Sequence, residues 1–115
     1  MSVKKPKISV LIPVHNGADT LAETVASILN QTFADFELLL FDDASTDASP
    51  EIINSFADSR IRRFRSDANL GISEARNRLM ELAEGEYLAV MDHDDLSAPR
   101  RLEKQAAWLD NNPEV

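Results

Sequence analysis

Four apolar runs, each cut off by polar residues and each followed by a stretch with helical periodicity, organise this chain. Ile8-Ser9-Val10-Leu11-Ile12-Pro13 is nearly all apolar and rich in β-branched residues, the pattern of a strand covered on both faces in a parallel sheet. Val14-His15-Asn16-Gly17 reads as a loop. Thr20 with Glu23 then fits a capping box ahead of Leu21, Val25, Ile28 and Leu29, which recur at helical spacing and predict a helix to about Asn30, closed by Asn30-Gln31-Thr32. Phe36-Glu37-Leu38-Leu39-Leu40-Phe41 is a second buried strand that runs straight into Asp42-Asp43-Ala44-Ser45-Thr46-Asp47. Ser49 as a cap and Pro50 at the first helical position open a second helix, with Ile52, Ile53 and Phe56 as its buried stripe. Arg60-Ile61-Arg62-Arg63-Phe64-Arg65 carries four arginines among few apolar positions, which suits an edge strand that discourages further pairing better than a polyphosphate binder. After the turn Asn69-Leu70-Gly71, Ile72, Ala75, Leu79, Leu82 and Ala83 mark a third helix stopped by Gly85. The apolar run Tyr87 to Met91 reads as a fourth buried strand. Ser97 and Pro99 then begin a last helix that carries Leu102, Ala106 and Leu109 toward the core and ends at Asn111-Asn112-Pro113.

Strand and helix alternate four times, which predicts a doubly wound α/β fold with a mostly parallel sheet and right-handed crossovers, the strands in the order 3-2-1-4. Ligands of such folds bind beyond the carboxyl ends of the strands, near the point where strand order reverses. In that order strands 2 and 4 flank strand 1, and at ~4.8 Å per step their ends are roughly 10 Å apart. Such a gap accommodates part of a nucleotide, with Pro13 to Asn16 as its floor.

Composition narrows the partners. A chain of 115 residues, 43% hydrophobic and 28% charged, reads as one soluble globular domain or part of one. Twenty acidic against twelve basic residues leave a formal charge of -8, which repels nucleic acid and anionic membrane surfaces. An anionic small ligand would need a metal ion or a local arginine to offset that charge. The absence of cysteine removes disulfides, zinc-thiolate sites and thiol catalysis. The start Met1-Ser2-Val3-Lys4-Lys5 leads into a strand rather than a signal-peptide core, and no run nears ~20 apolar residues, so a cytoplasmic setting is expected.

The fourth strand stops at Asp92-His93-Asp94-Asp95, three carboxylates in four positions. If strand geometry persists, Asp92 and Asp94 point the same way and Asp95 swings round to join them. Carboxylates that close repel unless a positive charge lies between them, and hard cations such as Mg²⁺ or Mn²⁺ prefer such oxygens. A metal-phosphate site is one reading. For an isolated Asp-x-Asp the commoner meaning is a solvated loop that caps the next helix, and the surroundings must decide.

Those surroundings form a series. Ser9-Val10-Leu11-Ile12-Pro13-Val14-His15-Asn16-Gly17, the helix ending Gln31-Thr32, the strand ending Asp42-Asp43-Ala44-Ser45-Thr46-Asp47, then Asn69-Leu70-Gly71 with Ala75-Arg76-Asn77, and Gly85-Glu86-Tyr87 leading to Asp92-His93-Asp94-Asp95, closely resemble the family 2 glycosyltransferases with the A-type fold. The likeness covers nearly the whole chain. It implies a Rossmann-like half of that fold, binding a nucleotide-diphospho-sugar donor, most often a uridine nucleotide, with Mg²⁺ or Mn²⁺ at the Asp-x-Asp motif, and an inverting transfer of the sugar to an acceptor hydroxyl of a saccharide or glycoconjugate. Carried over by residue, Asp43 matches the carboxylate that accepts a hydrogen bond from the base, chemically sensible for the ring N–H of uracil. Asp92 is expected near the ribose or metal shell, Asp94 as the direct metal ligand, and Asp95 as their support. Pro13 and His15 match the loop beside the base, with a hydrogen bond of His15 to its own loop as the open alternative. Arg76 is expected near base or phosphate, with a surface ion pair among Glu74, Arg78 and Glu81 as the open alternative. Asp42 is expected to cap the loop after the second strand and His93 to face solvent.

In inverting members an Asp or Glu of the acceptor-binding half deprotonates the acceptor. That half follows the donor half, so residues 1–115 are expected to form a donor domain that stops short of it and lacks the base. A sheet left open there exposes apolar surface and a strand edge, which favours self-association. Two rivals from other classes are a nucleotide-binding module without enzymatic activity, which would keep Asp43 and Asp94, and a phosphotransfer domain with an aspartyl nucleophile. The latter needs Thr or Lys partners in set positions, and here Asp95-Leu96 follows the motif.

Overall fold

The computed structural model describes residues 5–112; Pro113, expected at the end of the last helix, and the first four residues lie outside them. The chain alternates β1 (Ile8–Val14), α1 (Leu21–Leu29), β2 (Phe36–Asp43), α2 (Ser49–Ser55), β3 (Ile61–Ser66), α3 (Ile72–Leu82), β4 (Tyr87–Val90) and α4 (Arg101–Asn111). The strands pair in parallel in the order β3-β2-β1-β4. This is the doubly wound sheet that the apolar pattern predicts.

Alternation along the strands distributes the core. Ile8, Val10, Ile12 and Val14 of β1, with Leu38 and Leu40 of β2, face Leu21, Val25 and Ile28 of α1, Ile53 of α2 and Leu102 and Ala106 of α4. Leu11, Leu39 and Phe41 point the other way, onto Ala75 and Leu79 of α3. β1 and β2 are buried along their full length, so each Leu or Ile contributes the ~1.5–3 kcal/mol of a fully buried side chain.

Two kinds of expectation need correction. β4 is not a buried strand: Leu88 is 47% and Val90 38% exposed, because both point to one face of the sheet and that face is left open at β4, an edge with no strand beyond it among the described residues. Leu88, Val90 and the 54% exposed Trp108 of α4 line an apolar groove of about 490 Å³ along that edge. An apolar run alone does not reveal whether anything covers its second face. The helix caps also differ. Thr20 makes no capping bond and Ser49 lies inside α2, because tertiary partners take both hydroxyls. The arginine run behaves as an edge strand should. β3 is the other edge; Arg60 pairs with Asp58, Arg62 with Glu37, and Arg63 donates to the carbonyls of Ile53 and Phe56.

Register sets up the ligand end of the sheet. Val14 pairs with Asp42, so Asp43 projects one residue beyond β1, whereas Val90 ends β4 opposite Leu11. The chain after Met91, whose amide still bonds Leu11, therefore turns beside the last residues of β1.

Candidate donor and cation site

The floor is built from two interlocked loops. Asn16, at φ 52°, donates its amide to the Ser45 hydroxyl (2.9 Å) and accepts the Thr46 amide on its side-chain oxygen (2.8 Å). The Gly17 amide bonds Ser49 Oγ at 3.0 Å and the Ala18 amide bonds Asp47 at 3.1 Å. Asp42, nearly inaccessible, accepts the Ser45 amide at 3.1 Å, which is the loop-capping role its position suggests. His15 Nδ1 lies 2.6 Å from the main-chain oxygen of Asp43. A carbonyl only accepts, so Nδ1 carries a proton.

Asp43 is 3% exposed, and its two oxygens accept the amides of Leu70 (2.7 Å) and Gly71 (2.9 Å). A buried carboxylate tolerates that position because it is hydrogen-bonded at the start of α3, where helix amides favour negative charge. Pro13, Val14, His15, Asp43, Gly71, Ile72 and Ala75 then line a cleft of about 270 Å³, together with Asn69 and His93. Its walls are mostly apolar and its acceptors few, the make-up of a site for a flat polar ring.

On the other side of β1 the strand geometry does not continue through the acidic residues. Asp92 to Asp95 form a turn closed by the Asp95 amide on the Asp92 carbonyl at 3.2 Å. The turn still gathers the carboxylates: one oxygen each from Asp92, Asp94 and Asp95 lie within 4.8 Å of one another. Asp92 is paired with Arg76, Nη2 to Oδ1 at 2.9 Å, and Asp95 accepts the Asp92 amide at 2.9 Å. Asp94 makes no side-chain hydrogen bond or ion pair among the described residues. Such an all-oxygen set, one carboxylate unengaged and two oriented, fits a hard cation that keeps water or phosphate in its remaining positions.

The residues singled out from the sequence thus fall into two adjoining groups. Pro13, His15 and Asp43 share the cleft, Arg76, Asp92 and Asp94 share the acidic turn, and His93 adjoins both. Arg76 forms an ion pair, but with Asp92 and not with its helix neighbour Glu74, which holds Arg78 at 3.2 Å. Among the described residues, the Nε of Arg76 is buried without a partner. His93 does not face solvent as expected. It is half-buried, and its ring packs so closely on Gly17 that a Cβ there would come within 2.8 Å of Cγ. Ile72, 54% exposed at the start of α3, and Ala75 line the cleft although the sequence marks them only as helix positions. The sequence offers Thr20 only as a helix cap and does not single out Thr24; both donate to the His93 carbonyl, at 3.0 and 2.8 Å.

Known proteins resemble this chain in sequence and in fold. The family described as Glycosyl transferase family 2 matches residues 9–115. An uncharacterized glycosyltransferase of Haemophilus influenzae is 41% identical over 109 residues, covering 93% of this chain and 44% of that protein. The Escherichia coli UDP-Glc:alpha-D-GlcNAc-diphosphoundecaprenol beta-1,3-glucosyltransferase WfgD is 33% identical over 105 residues, covering 91% of this chain and 42% of its own. The chain thus spans about two fifths of the length of these relatives. Among solved structures, S. aureus TarS 1-349 in complex with UDP-GlcNAc superposes with a TM-score of 0.87 at 29% identity, over 91% of this chain and 31% of that one. The mannosyltransferase PcManGT of Pyrobaculum calidifontis, in complex with GDP-Man and Mn²⁺, gives 0.83 at 26%, over 92% and 33%. No helix among the described residues is long and apolar enough to cross a membrane.

Proposed function

This chain belongs to glycosyl transferase family 2, and from that premise we propose that it is the donor-binding domain of a glycosyltransferase that uses a nucleotide-diphospho-sugar, with a uridine nucleotide as the carrier and Mg²⁺ or Mn²⁺ as the cation. What carries the reading is that an acceptor-only carboxylate, Asp43, lines an apolar cleft on one side of β1 while the unengaged carboxylate of Asp94 stands on the other. A base and its diphosphate are the ligand whose chemistry changes in that order.

Each residue has a task. Pro13, His15 and Ile72 flank the base. Asp43 accepts the ring N–H of uracil on lone pairs left over from its two amide bonds. Asp92 serves the ribose and the cation's surroundings, Asp94 binds the cation, and Arg76 orients Asp92 while adding positive charge near the phosphates. A divalent cation held there would offset the charge that grows on the departing diphosphate. The base that activates the acceptor, and the acceptor contacts with it, are assigned to the acceptor-binding half outside residues 1–115.

Calorimetry with uridine diphosphate, with and without Mn²⁺, tests this directly. Binding should tighten at least about tenfold with Mn²⁺, and Asp94→Asn should remove that gain. Cytidine diphosphate, whose ring nitrogen lacks the proton, should bind more weakly than uridine diphosphate. Equal affinity for the two, or Mn²⁺-independent binding, would overturn the assignment.

A further inference from the structure

We propose that Thr20 and Thr24 are positioning residues for the acidic turn: their hydroxyls hold the main-chain carbonyl of His93, the middle of Asp92-His93-Asp94, and so set the arrangement in which the carboxylates receive a cation. The inference rests on the reading of that turn as a cation site, and it assigns a role to a helix that carries none of the carboxylates.

The polar face of α1 and its flanks forms a continuous stripe. Thr20, Thr24, Ser27 and Gln31 recur every three or four residues and therefore stand on one side. All four bond the segment after β4. Thr20 Oγ1 and Thr24 Oγ1 donate to the His93 carbonyl, at 3.0 and 2.8 Å. Ser27 Oγ accepts the Ser97 amide at 3.1 Å. Gln31 donates to the Ala98 carbonyl at 2.7 Å and accepts the Leu102 amide at 3.0 Å. A helical threonine ordinarily bonds the carbonyl one turn back, and Thr24 does not. It is 0% exposed, so its hydroxyl would be costly without a partner, and the partner it has is the acidic turn.

The turn benefits from such an anchor. Within it the 3.2 Å bond from the Asp95 amide to the Asp92 carbonyl and the 2.9 Å bond from the Asp92 amide to Asp95 resist the mutual repulsion of three carboxylates; Arg76 offsets the charge of Asp92 at 2.9 Å, whereas no cation among the described residues pairs with Asp94 or Asp95. The two threonine hydroxyls take both lone pairs of the His93 carbonyl, while the His93 ring is seated on Gly17. Side chain and main chain of the motif's middle residue are thus tied to the start of α1, and Asp92 and Asp94 extend from a fixed point. Groups that orient metal ligands in this way typically govern affinity by about 10–100-fold.

Thr24→Val removes the hydroxyl and keeps the shape; Thr24→Ser restores it. Mn²⁺ affinity of the full chain, read from the electron paramagnetic resonance of free Mn²⁺, should fall about tenfold in Thr24→Val and return in Thr24→Ser. Amide hydrogen exchange at Asp95 should quicken in Thr24→Val without any metal present. If Thr24→Val does not fold, Thr20→Val, at a less buried position, should show a smaller loss of the same kind. Unchanged Mn²⁺ binding in the threonine variants, beside lost binding in Asp94→Asn, overturns the clamp alone. A Thr24→Ser variant as weak as Thr24→Val also overturns it. Absence of Mn²⁺ binding by the unaltered chain overturns the cation reading, and the clamp's role with it.

Discussion

Two backbone conformations beside Asp43 make opposite demands on their side chains. Ala44 has φ 55°, in the left-handed region that a Cβ disfavours by roughly 1–2 kcal/mol, and Gly71 has φ 88° with ψ 159°, an extended positive-φ region that is essentially glycine's alone. Ala44 is held there because the Ser45 amide bonds Asp42 behind it and the Ser45 hydroxyl bonds Asn16. Ala44→Gly should therefore raise the unfolding free energy by up to about 1 kcal/mol, and Gly71→Ala should lower it by about 1–3 kcal/mol, both read from urea unfolding. A Cβ at Gly71 meets no atom of the described residues within 4 Å, so its cost there is conformational. At this scale the sequence named Gly71 as a turn residue, and nothing in it marked Ala44.

Among elements, the least expected feature is a polar cluster within the sheet. Glu37 of β2 takes the Ser9 hydroxyl of β1 at 2.5 Å, Arg62 of β3 at 2.9 Å and the Glu84 amide after α3 at 2.7 Å. The Gly85 amide completes it on Ser9 Oγ at 2.7 Å, and a Cβ on Gly85 would come within 2.5 Å of Ser9. Burial alone pushes the Glu37 carboxyl up, but the bonds from Ser9, Glu84 and Arg62 outweigh it and hold it below the usual carboxylate range. Arg60, through its side chain first and then its amide, holds Asp58 down at about 2. Both groups bind protons more readily when unfolded, so their stabilisation is complete above ordinary carboxylate values and is lost as pH falls through the folded ones. The melting temperature should hold between about pH 7 and 5 and fall below about pH 4, with a shallower fall in Glu37→Gln. Thermal scans across pH decide it; an identical acid slope in the variant would remove Glu37 from the account.

Over the whole molecule, charge opposes the ligand proposed for it. A formal charge of -8 raises the local potential against a nucleoside diphosphate, and Arg76, the arginine nearest the acidic turn, is already paired with Asp92. Without a divalent cation, the affinity for uridine diphosphate should therefore rise about two- to threefold between ~20 and ~200 mM NaCl as repulsion is screened. With Mn²⁺ bound, the dependence should flatten or reverse, because the nearest charge has changed sign. Calorimetry at the two salt concentrations separates the cases, and a metal-free affinity that falls with salt would show that the net charge does not govern binding.

Unbroken apolar runs and the 3.6 period of the stretches between them determined the eight elements, the helices on both faces and the acidic residues at strand ends, because burial of a run or a stripe is a local property of the sequence. The edge role of β3 was equally legible in its arginines. What each polar group touches was decided only by the tertiary structure. Arg76 and Asp92 are 16 residues apart, Asp43 and Gly71 28, and Thr24 and His93 69. No periodicity links such pairs; they meet because parallel crossovers bring the ends of β2, β1 and β4 side by side. The same cause explains β4, whose apolar run reads as buried although the sheet leaves its outer side exposed, and Thr20, a cap by local rules whose hydroxyl is drawn to His93 instead.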